Sequence, residues 1–269
     1  MIDFDAINLG FSRESQFYDA DDDANLVNRW ARGLVRETVA RYIPPGKSIL
    51  EINAGTGADA LWLAKRGYRV HATDIADGMM AAVRSKIEMS GLADRFTAQQ
   101  LSFTELEQTM NAPFDGVFSN FGGLNCVPDL SVVARGVCHV LKPGGWVIWV
   151  IMPAICPWEL LQILRGHWHT AIRRLRRGGV MANVRGAQIM TYYFTPRQIR
   201  RVLGSAFRVE YLQNFSLFCP PMYMQGFSKR FPRLTENLMR LDEYLGRLPL
   251  LNNWGDFIIL SARYMKHQS

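Results

Sequence analysis

The stretch from Ile49 to Met80, ILEINAGTGADALWLAKRGYRVHATDIADGMM, constrains the fold more than any other part of the chain. It reads as an apolar strand, a turn with two glycines, a helix, a second strand and an acidic residue. Strand, helix and strand in that order form a β-α-β crossover. Its two strands must run parallel, because the helix carries the chain back over one face of the sheet.

The same rhythm continues beyond it. Short apolar runs at 48–52, 69–73, 95–101, 116–119 and 146–151 alternate with helical patterns near 57–66, 77–90 and 129–141. Five such units predict a mainly parallel sheet with helices on both faces. Ahead of them, Leu26, Trp30, Leu34, Val35 and Val39 repeat at helical spacing over 24–42, closed by Pro44-Pro45-Gly46. After Ile151 the rhythm breaks. Trp158, Leu161, Leu164, Trp168, Ile172 and Leu175 predict a helix that stops at Gly178-Gly179, with Pro157 suited to its first turn. A helix from Pro196, a strand over 207–218, a helix near 233–246 and a strand over 256–264 complete the pattern. The expected organisation is an N-terminal helical cap segment over 1–43 and one α/β domain over 44–269. Insertions at about 152–195 and 219–254 interrupt that domain, and connections of such length often serve as lids.

Composition excludes several classes. No window approaches the roughly 18 consecutive apolar residues that span a bilayer, and the acidic start lacks the basic-then-apolar order of a secretory leader. The four cysteines (126, 138, 156, 219) form no CxxC pair, so neither a metal site nor a disulfide framework is expected, and a reducing cytoplasmic setting is. The net charge of +7 is uneven. Residues 151–205 hold nine arginines (165, 173, 174, 176, 177, 185, 197, 200 and 201) against one acid, Glu159. Such a run is either a solvated face or a patch for an anionic partner.

Two nucleoside ligands suit the opening motif. Gly55 and Gly57 allow a tight turn and close approach of a ligand to the next helix. A dinucleotide fingerprint places its third small residue at Ala60, which leaves that test undecided. Glu51, at the end of the first strand, discriminates better. A carboxylate there repels a pyrophosphate and attracts a sulfonium and an ammonium. Asp74, ending the second strand, can accept from both hydroxyls of a ribose. Either acid alone could be a simple helix cap; both at consecutive strand ends around a glycine turn argue for a nucleoside site.

Residues 49–80, together with FDGVFSNFGGLNCVPDL (114–130) and VLKPGGWVIWVI (140–151), resemble the ordered motifs of class I S-adenosylmethionine-dependent methyltransferases. The resemblance covers about residues 40–152. It implies a Rossmann-like seven-stranded, mainly parallel sheet with helices on both faces. A mostly helical insertion would follow strand five, and a helical extension would precede a reversed last strand. By the resemblance, Glu51 and the turn of Asn53, Ala54, Gly55, Thr56 and Gly57 face the methionine end of the cofactor. Asp74 holds the ribose, Ile75 and Met79 pack near the adenosine, and Leu101 and Ser102 border the adenine. Ser119, Asn120 and Phe121 lie beside the sulfonium and the acceptor, and Tyr18 touches the carboxylate end. The family's first turn glycine is Asn53 here, a residue that tolerates positive φ. Many relatives carry an acid where this chain has Leu101.

The expected activity is direct methyl transfer from S-adenosylmethionine, leaving S-adenosylhomocysteine, to a small-molecule or lipid-like acceptor. Alignment of the nucleophile is the protein's main task. His167, His169, Tyr192 and Tyr193 are the candidate bases should the acceptor need to lose a proton. The motif SNFGGLN lacks the Asn/Asp-Pro-Pro-aromatic sequence of enzymes that methylate amino groups of bases and glutamines. An RNA methyltransferase using the arginine run, a catalytically silent cofactor-binding regulator and a nicotinamide-dependent reductase are the alternatives. Acceptor atom and oligomeric state stay open.

Overall fold

The computed structural model describes residues 2–176 and 178–265; Arg177 of the basic run and residues 266–269 of the expected domain lie outside the described residues. Two helices, α1 (Phe4–Ala24) and α2 (Leu26–Tyr42), precede the sheet. The core units follow as β1 (Ser48–Ile52), α3 (Ala58–Ala64), β2 (Arg69–Asp74), α4 (Asp77–Ser90), β3 (Phe96–Gln100), β4 (Phe114–Ser119), α5 (Ser131–Val140) and β5 (Leu141–Ile151). Next come two short helices, α6 (Pro157–Leu160) and α7 (Trp168–Ile172), and a hairpin of β6 (Val180–Val184) and β7 (Ala187–Thr191). The chain then returns through α8 (Pro196–Leu203), β8 (Phe207–Phe215), α9 (Gln225–Arg230), α10 (Pro232–Leu245) and β9 (Phe257–Tyr264).

The seven-stranded sheet has the order β3-β2-β1-β4-β5-β9-β8. Strands β1 to β5 pair in parallel, whereas β9 runs antiparallel to both β5 and β8. Successive side chains of a strand face opposite sides, so β1 divides its residues between two cores. Leu50 and Ile52 join Val117, Val147 and Trp149 under α5 and α8. Ile49 joins Val70, Ala72, Phe118 and Ile148 under α2 and α3. Burial on both faces explains why these strands read as continuous apolar runs. Among the described residues no helix is long and apolar enough to cross a membrane.

Two expectations need correction. The helix expected over 158–178 is broken into α6, α7 and 3₁₀ turns, with Gly166 at φ 79° between them. The insertion is also less helical than expected, because residues 180–191 form a two-stranded hairpin. Its two-residue loop, Arg185-Gly186, has positive φ at both positions (47° and 89°), as tight hairpin turns require.

Helix α1 is the main addition to the expected cap segment. Asp3 caps its start by accepting from the Ala6 amide at 2.9 Å. Asn25 separates α1 from α2 by accepting from the Val27 and Asn28 amides. Helix α4 has no side-chain cap of its own. Its free amides are instead met from α1: Asp77 N donates to Asn8 Oδ1 and Gly78 N to Ser12 Oγ, each at 2.9 Å. Gly78 permits this contact, since a Cβ there would stand 2.5 Å from the Ser12 carbonyl oxygen.

Candidate functional site

The turn after β1 is held in a conformation that few side chains accept. Asn53, Gly55 and Gly57 have φ of 48°, 57° and 75°. Asparagine is one of the few non-glycine residues that adopt this region readily, and here its side chain has a second use. Asn53 Nδ2 donates to the Asn120 carbonyl at 3.1 Å, and Ser119 Oγ donates to Asn53 Oδ1 at 2.6 Å. The turn after β1 is thereby tied to the loop after β4. Thr56 is buried and donates to Asp19 Oδ1 of α1, while Lys86 Nζ donates to the Thr56 carbonyl at 2.9 Å.

Behind the turn lies a buried charge cluster. Arg32 donates to Asp22 and Asp59, and Arg36 donates to Asp59 at 2.7 Å. Asn120 Nδ2 adds a 2.7 Å bond to Asp59. Burial would push Asp59 up, but the two guanidiniums and Asn120 hold it below its ordinary range. Glu51 feels the Arg32 and Arg36 charges too, but less strongly than it feels burial. Its Oε2 is buried without a hydrogen-bond partner, and burial together with the Asp59 charge pushes its carboxyl well above the usual range. Three carboxyls therefore face two guanidiniums, and Glu51 is the group left uncompensated. A cation arriving near it would restore the balance.

Asp74 ends β2 beside this turn. Its Oδ2 accepts from the Gly55 amide and its Oδ1 from the Ala76 amide, each at 2.9 Å. Burial pushes its carboxyl up to about 6 against the pull of these amides. Ionised, it still has lone pairs free for a pair of hydroxyls.

These elements open onto a cavity of about 330 Å³. Asn53, Gly55, Asp74, Ile75 and Met79 form one end; Tyr18, Asn120 and Phe121 line it as well. Chiefly apolar groups form the rest: Ile7 and Phe11 of α1, Phe103, Cys126, Met152, and Ala182, Val184, Ile189 and Thr191 of the hairpin, with Tyr193 and Arg173. The roof is α1 against the hairpin. Gly10 brings them close, since a Cβ there would meet Ile189 Cδ1 at 3.0 Å. Arg185 at the hairpin tip pairs with Glu14 and Asp21 and lies 4.5 Å from the centroid of the Phe17 ring.

Of the expected contacts, Tyr18, Asn53, Gly55, Asp74, Ile75, Met79, Asn120 and Phe121 reach the cavity wall. Tyr18 does so from within α1. Glu51, Ala54, Thr56, Gly57, Leu101, Ser102 and Ser119 do not line it, although Ser119 supports Asn53, which does. After β3 the wall residue is Phe103, two positions beyond Leu101. Among the candidate bases, His167 and His169 are exposed and away from the cavity, Tyr192 packs toward the core, and Tyr193 alone lines the wall. Burial pushes the Tyr193 phenol up, and the Cys126 thiol and Tyr18 phenol each to about 12. None of the three is a base at neutral pH.

Sequence reasoning passed over two sources of wall residues. Ile7 and Phe11 lie at helical spacing with Tyr18, itself an expected contact, a signal masked by the acidic residues among them. VMANV-RG-AQIMT alternates around a two-residue turn containing glycine, which is the pattern of a hairpin.

Cys156, Glu159 and Asp256 bring three potential ligand atoms within 4.8 Å of one another. Both carboxylates already hold Arg174, so this cluster is an ion-pair network.

Residues 49–145 match the family model described as a methyltransferase domain. The S-adenosyl-L-methionine-dependent Diels-Alderase iccD of Talaromyces variabilis is 35% identical over 104 residues, 38% of this chain and 35% of that protein. The ubiquinone biosynthesis O-methyltransferase of Xanthomonas axonopodis pv. citri is 30% identical over 149 residues, 50% of this chain and 61% of that protein. The chain thus spans 35% to 61% of the length of these curated relatives. A SAM-dependent methyltransferase of Methanosarcina mazei shares the fold, with a TM-score of 0.58 at 18% identity over 86% of this chain and 98% of that one. Motif order, strand order and the matched segment together show a methyltransferase domain over residues 49–145, set in a seven-stranded, mainly parallel sheet.

Proposed function

We propose that the protein binds S-adenosylmethionine and transfers its methyl group to a small, largely apolar acceptor in the cytoplasm. One observation carries this reading: the nucleoside end of the cavity, with Asp74 and the Gly55 turn, is continuous with an apolar chamber under α1 and the hairpin. The orphaned Glu51 oxygen fits a cationic cofactor and argues against a dinucleotide. When bound, S-adenosylmethionine supplies a methyl carbon activated by positive sulfur. Asp74 would hold the ribose hydroxyls, Ile75 and Met79 the adenosine, and Asn53 and Asn120 the methionine end. The remaining walls orient the acceptor and exclude water, where alignment alone contributes up to roughly 7–11 kcal/mol. Exposed Leu161, Leu164 and Trp168 on the insertion support a lipid-like acceptor.

Calorimetric titration with S-adenosylmethionine and S-adenosylhomocysteine tests the cofactor. Binding of both, lost in Asp74→Ala, supports the proposal; binding of NADH alone overturns it.

A second reading is favoured by the described residues on the acceptor side of the cavity, whose titratable groups, Tyr18, Cys126 and Tyr193, are all pushed up by burial and whose one charged group is Arg173. A chamber that only orients and desolvates suits a cyclisation, and one relative is named a Diels-Alderase. Cofactor consumption separates the two, because methylation converts one S-adenosylmethionine to S-adenosylhomocysteine per product, whereas cyclisation leaves it unconsumed. The RNA reading loses support, since Arg174 and Arg185 are committed to internal ion pairs.

A further inference from the structure

Two consecutive arginines near the cavity differ in one respect. Arg174 is buried, and every N–H it carries has a partner. Nε and Nη2 donate to Glu159, Nη2 also to Asp256 Oδ1, and Nη1 to the carbonyls of Asp256 and Pro153. Arg173 is gripped on one edge only. Its Nε and Nη2 donate to the two oxygens of Glu159 at 2.7 and 2.6 Å. Nη1 and the second Nη2 proton have no partner among the described residues, which leaves three of the five N–H groups of a guanidinium uncommitted. Its side chain is 36% exposed and lines the cavity, in a wall otherwise chiefly apolar.

The local charges show why this arginine can receive a ligand. Burial would raise Glu159, but hydrogen bonds from Arg173 and the charge of Arg174 hold it below its ordinary range, so it stays a carboxylate. Glu159, 1% exposed and fixed by Arg174, orients the Arg173 guanidinium edge-on. Asp256, the other acid of the group, pairs with Arg174 at 2.6 Å, so Glu159 is the one carboxylate of the group that bonds Arg173. Lysine would offer a point charge on a flexible stem, whereas a clamped guanidinium presents a planar fork suited to two oxygens.

We propose that the acceptor is an organic acid: an apolar body bearing an oxyanion that seats on the open edge of Arg173, beside Tyr193. This assignment rests on the cofactor reading of the cavity and adds the chemical class of the second substrate.

The test uses the full chain saturated with S-adenosylhomocysteine, titrated with 1-naphthoate and octanoate and with the methyl ester of each. The acids are expected to bind about tenfold more tightly than their esters, the scale of one charge-assisted hydrogen-bonded pair. Arg173→Gln should abolish the preference for acid over ester, and Arg173→Lys should keep part of it, with S-adenosylhomocysteine binding measured in each variant as the check that the cavity is intact. The ester comparison in the unaltered protein needs no variant to fold. Equal binding of acid and ester, binding of no acid with S-adenosylhomocysteine in place, or a preference that survives in Arg173→Gln would overturn the proposal. Failure of S-adenosylhomocysteine to bind, read in the first titration, would instead overturn the cofactor reading on which it stands.

Discussion

The side chain of Asn53 donates to the backbone carbonyl of Asn120 at 3.1 Å, joining the turn after β1 to the loop after β4 across one end of the cavity. A glycine at position 53 would satisfy the backbone but could not make this bond. The two loops lie close enough that a Cβ on Gly123 would sit 2.4 Å from Asn53 Nδ2.

Asn53→Ala should therefore cost more than Asn53→Gly. Alanine loses the tether and also strains a residue at φ 48°, a combined loss of about 1–3 kcal/mol. Glycine loses the tether alone. Chemical denaturation of both variants checks the order, and equal losses would show that the backbone conformation does not matter there.

Cofactor affinity should fall on acidification. The Asp74 carboxyl is pushed up to about 6, and only its ionised form accepts from both ribose hydroxyls. Below that value affinity should drop by about tenfold per pH unit, while above pH 7 it should be flat with respect to this group. Titrations with S-adenosylhomocysteine at pH 8, 7 and 5 measure it. A flat profile across that range would separate Asp74 from the ribose.

Glu51→Gln should stabilise the free protein and weaken cofactor binding. Because the folded-state carboxyl is raised above its unfolded value, the folded state holds the proton more tightly. Its contribution is then favourable at low pH and is lost as pH rises from about 4.5 through the raised value. Removing the titration should gain about 1–3 kcal/mol at neutral pH, the cost of an unsatisfied buried group. Melting curves across pH, with and without S-adenosylmethionine, test both halves. A variant that melts lower at pH 7 would refute the stability half.

Gly78→Ala should loosen the roof. The new methyl would meet backbone atoms of Ser12 at 2.5 and 2.7 Å, which cannot move without shifting α1. A loss of about 1–3 kcal/mol is expected from such overpacking, with faster proteolysis inside residues 4–24. Unchanged cleavage there would mean that α1 is not held by this contact.

Much of the site was legible because its signals are local. The turn glycines, Asp74 after β2 and the Ser119-Asn120-Phe121 loop after β4 lie at ends of parallel strands, where topology alone brings them together. Glu51 was legible as an acid of consequence but not as one lying behind the turn. Its burial depends on Asp59, Arg32 and Arg36, which come from two other helices. The arginine run misled in the same way. Sequence shows its charge, while the partners Glu14, Asp21 and Asp256 of Arg185 and Arg174 lie far away along the chain.

The sequence by itself determined the parallel sheet, the methyltransferase domain over residues 49–145 and the position of the glycine turn after β1. Hydrophobic periodicity and strand-end residues act over a few positions and do not depend on distant contacts. Only the tertiary structure decided what covers that turn. Helix α1 and the β6–β7 hairpin, some 160 residues apart in sequence, meet through Gly10, Ile189 and the Arg185 ion pairs. The half-committed guanidinium of Arg173 in the cavity wall likewise exists only because Glu159 and Arg174 are folded beneath it. Whether a charged group is spent or available depends on which partners the fold brings within about 3 Å, and no local pattern encodes that.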